Sequence, residues 1–195
     1  RYKRDANFPL YIQKLECVFE LKPDKIPSIQ IKHSLSFMQN EYLKSSNGEI
    51  VSLMLTKPDL ELFFEQYDVE VVSWNGGYKF KQAKGIFDEY LNHWTESKIQ
   101  AKKDNNRALY QISKLMLNSL YGKFGTSLSG KKKNPVLVDG KVQYINGDEE
   151  EKKGVYLPGA RFITAYARKY TIETSQMIRD WSERQHGVDA YVYSD

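Results

Sequence analysis

Apolar and polar positions change their period along this chain, and the changes mark its elements. Residues 12–21 (IQKLECVFEL) are rich in β-branched and aromatic side chains and predict a strand. Pro23 and Asp24 supply a turn, and residues 29–31 read as the return strand. Asn47-Gly48 predicts another turn before the apolar stretch 50–55, and Pro58-Asp59 opens a short helix over DLELFFEQY. Residues 69–74 and 78–80 flank Asn75-Gly76-Gly77, a hairpin signal. From Gly85 the period becomes helical, with Ile86, Tyr90, Leu91 and Trp94 on one stripe of a helix reaching Lys103. A polar break at 102–106 precedes a second helix from about Arg107 to Tyr121, with Gly122 as its stop. Within the polar stretch 127–154, PVLV and KVQYI flank Asp139-Gly140, which favours a two-residue hairpin. The charge runs 131–133 and 148–153 read as solvated loop. A long helix from about Ala160 to Gln185 follows, ended by Gly187, and a strand over 188–194 comes last.

The second helix divides into two stripes. Ala108, Ile112, Leu115, Met116 and Leu120 recur at three- and four-residue steps and predict a buried face. Arg107, Gln111, Lys114, Asn118 and Tyr121 form the other stripe: two cations, two amides and a phenol. That set suits an anionic ligand with a flat ring, such as a nucleoside triphosphate. Spacing alone favours an ordinary solvated face, but a solvated face normally mixes signs, and this stripe has no carboxylate. In the last strand Asp189, Tyr191, Tyr193 and Asp195 alternate with Val188, Ala190, Val192 and Ser194. Asp195, at the strand end beside a tyrosine, is a candidate oxygen ligand for Mg²⁺. A two-metal phosphoryl-transfer site needs several carboxylates, and the chain offers one in such a context.

Composition narrows the classes. At 195 residues the chain is about one domain long, and 41% hydrophobic content excludes wholesale disorder. A formal charge of +4 permits nucleic acid as a partner without requiring it. The single cysteine, Cys17, excludes an internal disulfide framework and points to a reducing compartment. No apolar run approaches the length of a bilayer span, and no cationic, apolar signal segment opens the chain. Because it starts at Arg1 in a polar stretch and stops at Asp195 after an apolar alternation, the chain reads as an excised piece of a longer protein.

Two motifs and a broader match carry a family resemblance. Lys114-Leu-Met-Leu-Asn118-Ser-Leu-Tyr121-Gly122-Lys123-Phe124-Gly125 resembles the fingers motif of family B DNA polymerases. Its K-L-x-x-N-S-x-Y-G-K form is most similar to the phage-encoded, protein-primed branch. Tyr191-Val-Tyr193-Ser-Asp195 resembles the start of the palm motif Y-x-D-T-D-S. FPLYIQKLECVFELK, IPSIQIK, EYLKSSNGEI and DLELFFEQYDVE resemble the segment after the first palm motif in the Bacillus-phage type. The resemblance implies an α+β fold: part of a polymerase palm (an antiparallel sheet with long helices), helical fingers and two β-rich insertions. Residues 1–28 would be palm, 29–85 the first insertion, which grips terminal protein and DNA, and 86–125 a palm helix and the fingers helices. Residues 126–158 would be the second insertion, a hairpin arm around DNA, and 159–195 a palm helix with the start of the metal-binding strand.

By the same resemblance, the longer protein is a DNA-directed DNA polymerase. It adds dNMP to a primer 3′-hydroxyl or a terminal-protein hydroxyl in viral or prophage replication. Lys114 would contact the incoming triphosphate as part of the catalytic set, with Asn118 and Tyr121 beside the nascent base pair. Gly122 would allow close backbone approach. Asp195 would be the catalytic metal ligand and Tyr193 would line the palm. Lys123, Lys131, Lys132, Lys133 and Lys141 would face DNA phosphates. The family has a further triphosphate lysine one helix earlier; counting from Trp94 selects Lys98, counting back from the fingers motif selects Lys102. Tyr110 stands where the family often has a basic residue. Two Mg²⁺ ions, primer-template DNA, dNTP and terminal protein would be the cofactors and partners, in the cytoplasm of a bacterial host and without a membrane. The first palm motif, D-x-x-S-L-Y-P, is expected upstream of Arg1 and the second aspartate just past Asp195, so the fragment alone is expected to be inactive. The competing expectation is a non-catalytic nucleic-acid-binding module, a degenerate prophage remnant; a weaker one is a structural domain without a nucleic-acid role.

Overall fold

Leu10–Leu21 forms β1, the central strand of a three-stranded antiparallel sheet. Its alternation buries Leu15, Cys17 and Phe19 on one face. One edge is taken by β4 (Val51–Thr56), in register from Ile12 opposite Thr56 to Cys17 opposite Val51. The other is taken by β5 (Tyr67–Phe80), paired from Leu10 opposite Phe80 to Leu21 opposite Tyr67. Helix α1 (Lys57–Gln66) joins these two edges. Thr56 caps it, accepting from the Asp59 N–H, and Pro58 sits in its first turn. Leu60 and Phe63 of α1 meet Leu15, Cys17, Phe19, Ile29 and Tyr67 in the core. Phe19 packs edge-on against Phe63 and Tyr67, with ring centroids 5.3 and 5.2 Å apart.

The computed structural model describes residues 5–31, 41–126, 129–151 and 156–189. They divide into two compact units: one holds the chain up to Lys84 and again from Thr164, the other Gly85–Ile163. The architecture is α+β with antiparallel pairing in every sheet, as the sequence predicts.

Two expectations in the first unit are corrected. Residues 29–31 form β2 (Ile29–Ile31), which pairs with β3 (Glu41–Leu43) and not with β1. The Tyr67 hydroxyl ties this small ribbon to the core, donating to the Leu43 carbonyl at 2.8 Å and accepting from the Ser28 and Ile29 N–H groups. Burial pushes the Tyr67 phenol up, so it stays a donor. Tyr67→Phe leaves two buried N–H groups and a carbonyl without it and is expected to cost about 1–3 kcal/mol, read from urea unfolding.

Asn75-Gly76-Gly77 does not reverse the chain. It is a bulge in an unbroken β5, where the ladder steps from Gln13–Gly77 to Leu15–Trp74 with one extra residue on β5. Gly76 has φ +80°, and the site of a Gly77 Cβ lies 2.0 Å from the Ile12 carbonyl oxygen. With β1 alongside both arms, the ladder continues through the positive φ and the glycines bend the strand without ending it.

Helix α4 (Leu157–His186) begins in the second unit and ends in the first. In the first it is held by Arg168 to Asp59, by Lys169 to Glu61 at 2.8 Å, and by Gln176. The Gln176 carbonyl oxygen accepts from the Ile26 N–H and its amide donates to the Asp24 carbonyl. Ile26, Leu62 and Ile172 form a second small cluster there. Gly187 ends the helix at φ +63°, as predicted. Val188 and Asp189 do not begin a strand: Ser182 donates to the Val188 carbonyl and Arg179 pairs with Asp189, folding the chain back on the helix end. The remainder of the expected strand, with Tyr191, Tyr193 and Asp195, lies outside the described residues.

In the second unit, α2 (Asp88–Lys103) and α3 (Arg107–Phe124) are joined by three residues. Asn105 takes φ +53°, and the Asn106 side chain caps α3 by accepting from the Leu109 N–H. Of the predicted apolar stripe of α3, Met116 and Leu120 are half-buried, whereas Ala108 is exposed and Ile112 and Leu115 are 50% and 66% exposed. Ser113 is buried, and Tyr110 and Leu117 are half-buried as well. On α2, Tyr90, Trp94, Ser97 and Ala101 are the covered set, while Leu91 stands exposed, as does Ile86, which precedes the helix instead of lying in it. Both sets step by three and four residues, the seam of two helices packed side by side. Small Ala101 and Ser113 permit close approach, and the Tyr90 hydroxyl donates to the Met116 carbonyl. Gly122 does not stop α3. The helix runs to Phe124, whose ring packs on Phe87 at 5.7 Å, and Gly125 caps it. A glycine in a helix costs about 1 kcal/mol, which this packing of the last turn offsets.

The hairpin of β6 (Ser129–Val138) and β7 (Lys141–Glu151) turns at Asp139-Gly140, both at positive φ, as predicted. Its strands extend beyond PVLV and KVQYI. The described parts of the two charge runs are strand and not loop: Lys131 lies opposite Glu149, and Lys132 pairs with Glu150. Opposite charges across a ladder supply pairing that an apolar alternation would otherwise signal.

Candidate functional site

The capped start of α3 sets the register of its polar column. Arg107, Gln111, Lys114 and Asn118 stand exposed at steps of four, three and four residues. At 1.5 Å per residue they span about 16 Å along the axis. No carboxylate interrupts the column. Tyr121 and Gly122 follow on the backbone of the next turn. Among the described residues nothing lies within 4 Å of where a Gly122 Cβ would stand.

Lys98 of α2 is half-buried at the edge of the seam, its Nζ 5.8 Å from the centroid of the Tyr110 ring. Lys102 is exposed one turn further on, and Lys123 is exposed near the end of α3. The sequence assigned Tyr110 no role because it stands where the resembled family often has a basic residue. The three- and four-residue spacing of Tyr110, Ser113, Leu117 and Leu120 was the available signal.

The expected hairpin arm, residues 126–158, holds six lysines and five carboxylates. Lys131 and Lys132 face Glu149 and Glu150, whereas Lys133 lies opposite Asn146 and Lys141 opposite Val138. Asp195 and Tyr193 lie outside the described residues. Among the described residues no group of three or more His, Cys, Asp and Glu is placed to hold a metal ion. Cys17 is buried, which pushes its thiol up and leaves it a packing residue. Among the described residues, no helix is long and apolar enough to cross a membrane.

Comparison with known proteins agrees with the column's motif. Residues 1–191 match the family described as DNA polymerase type B, organellar and viral. The DNA polymerase of Bacillus phage phi29 is 45% identical over 181 residues, covering 92% of this chain and 31% of that protein. The DNA polymerase of Streptococcus phage Cp-1 is 34% identical over 191 residues, covering 95% and 31%. The structure of phi29 DNA polymerase complexed with primer-template DNA and incoming nucleotide substrates matches with a TM-score of 0.80, at 45% identity over 92% of this chain and 31% of that one. The orthorhombic crystal form of phi29 DNA polymerase matches at 0.76. This chain spans about a third of the length of these relatives. A match over nearly all of its residues, with the carboxylate-free column inside the matched region, establishes that the chain belongs to the type B DNA polymerases of viruses and organelles.

Proposed function

We propose that this chain is part of a DNA-directed DNA polymerase that adds dNMP to a primer 3′-hydroxyl, or to a terminal-protein hydroxyl at initiation, during phage or prophage replication in a bacterial cytoplasm. The observation that carries the reading is the exposed column Arg107, Gln111, Lys114 and Asn118, free of carboxylates, on a rigid capped helix. Lys114 meets the triphosphate as a point charge, and Asn118 and Tyr121 are the residues proposed to serve the base pair. Gly122 lets that pair approach the backbone. Divalent metal in the whole enzyme would neutralise the phosphates; Asp195 is the ligand this chain is proposed to contribute. The rest of the polymerase must supply the other ligands, so the 195-residue chain alone is expected not to extend a primer. Template-directed incorporation by the complete polymerase, with and without Lys114, tests the reading.

The alternative of a non-catalytic DNA-binding module is not favoured, because residues 1–191 match a polymerase family throughout. Of the proposed DNA contacts in the hairpin, Lys133 and Lys141 face no carboxylate across the ladder. Replacing both with alanine is expected to reduce the salt dependence of DNA binding by about one to two counterions. Lys132→Ala is expected to change it by less, because Glu150 already offsets that charge. Fluorescence anisotropy on a primer-template duplex across a salt series measures both.

A further inference from the structure

We infer that Tyr110 is a positioning residue for Lys98, one of the two α2 lysines that the family resemblance offers for the triphosphate. The inference rests on the reading of the α3 column as a triphosphate site. Lys98 Nζ stands 5.8 Å from the Tyr110 ring centroid, within cation–π range, and both side chains are half-buried at the edge of the helix seam. Tyr110 lies one turn before Lys114 and three residues after Arg107, so its ring borders the column. Lys102 is exposed and lies one turn nearer the connection between the helices.

The kind of partner matters as much as the distance. A lysine stem has much rotamer freedom, and ordering it at the moment of binding weakens a phosphate contact. A ring face orders the ammonium beforehand without neutralising it. A carboxylate partner, such as Glu150 beside Lys132, also orders a lysine but offsets its charge. The neutral tyrosine at 110 therefore serves an anion site in a way a carboxylate there would not.

Single-nucleotide incorporation by the complete polymerase tests this as a double-mutant cycle. Tyr110→Leu is expected to raise KM for dNTP about two- to fivefold with kcat nearly unchanged, and Tyr110→Phe, which keeps the ring, to restore KM. Lys98→Ala is expected to raise KM further, and Tyr110→Leu to add nothing in that background. If Tyr110→Leu lowers kcat and the thermal midpoint together, Tyr110→Met replaces it in the same cycle. An undiminished effect of the Tyr110 substitution in the Lys98→Ala background overturns the inference. An unchanged KM in both Lys98→Ala and Lys114→Ala overturns the reading of the column itself, which the other outcomes leave standing.

Discussion

Lys114→Ala in the complete polymerase is expected to lower kcat/KM for dNTP about ten- to a hundredfold while leaving primer-template affinity nearly unchanged. Lys114 sits mid-column on α3, exposed, between Gln111 and Asn118. Its ammonium has no competing carboxylate on the column, so its charge is available to phosphate. A hydrogen bond to a charged group contributes about 1.5–3 kcal/mol, and a tenfold change corresponds to about 1.4 kcal/mol. Lys114→Arg keeps the charge but replaces a compact point donor with a planar fork, so partial recovery is expected. Single-turnover incorporation over a dNTP series gives the rate, and anisotropy on labelled duplex gives the DNA affinity. Unchanged dNTP kinetics would remove Lys114 from the site. An equal loss of DNA affinity would make it a general phosphate contact instead.

Gly77→Ala is expected to destabilise the first unit by about 3 kcal/mol or more. An added Cβ would stand 2.0 Å from the Ile12 carbonyl oxygen and 3.1 Å from the Gln13 Cα. These are backbone atoms of the central strand, which cannot turn aside as a flexible side chain would. Relief requires breaking the β1–β5 ladder beside its bulge, a mechanism among those with the largest costs of single substitutions. The neighbouring glycine is the control. Gly76 has φ +80° but open space around its Cβ position, so Gly76→Ala carries only the left-handed penalty of about 1–2 kcal/mol. Gly76→Asn is expected to cost less, because asparagine tolerates that conformation. Urea unfolding followed by Trp74 fluorescence orders the three variants, and an equal loss in both alanine variants would show that backbone strain, not the clash with β1, dominates.

Legibility followed the range of the forces involved. The strand at 12–21, the Asp139-Gly140 turn and the Gly187 stop were readable because each depends on alternation or on a residue's own φ preference. The column from Arg107 to Asn118 was readable as well, because helical spacing places residues on a face whatever surrounds the helix. The buried stripe of α3 was readable only in part. Met116 and Leu120 are half-buried as expected, but Ala108, Ile112 and Leu115 are exposed, and the covered side also takes in Tyr110, Ser113 and Leu117. A buried serine that donates to the Leu109 carbonyl within its own helix carries little hydrophobic signal, although its small size is what lets α2 approach.

The glycines of β5 and the lysines of the hairpin show the same limit. Asn75-Gly76-Gly77 encodes a positive φ, which serves a reversal or a bulge equally well; β1 running past both arms made it a bulge. Lys131 and Lys132 look like a basic patch until the hairpin register sets Glu149 and Glu150 across from them. By itself, then, the sequence determined the chain's family, its local elements and the residues of the polar column, because period, turn chemistry and motif are properties of neighbouring residues. Which helix face is buried, which glycine can bear no side chain, which lysines face a carboxylate and which ring lies near Lys98 were decided only in the tertiary structure. Each depends on atoms brought together from distant parts of the chain, and sequence spacing does not specify that approach.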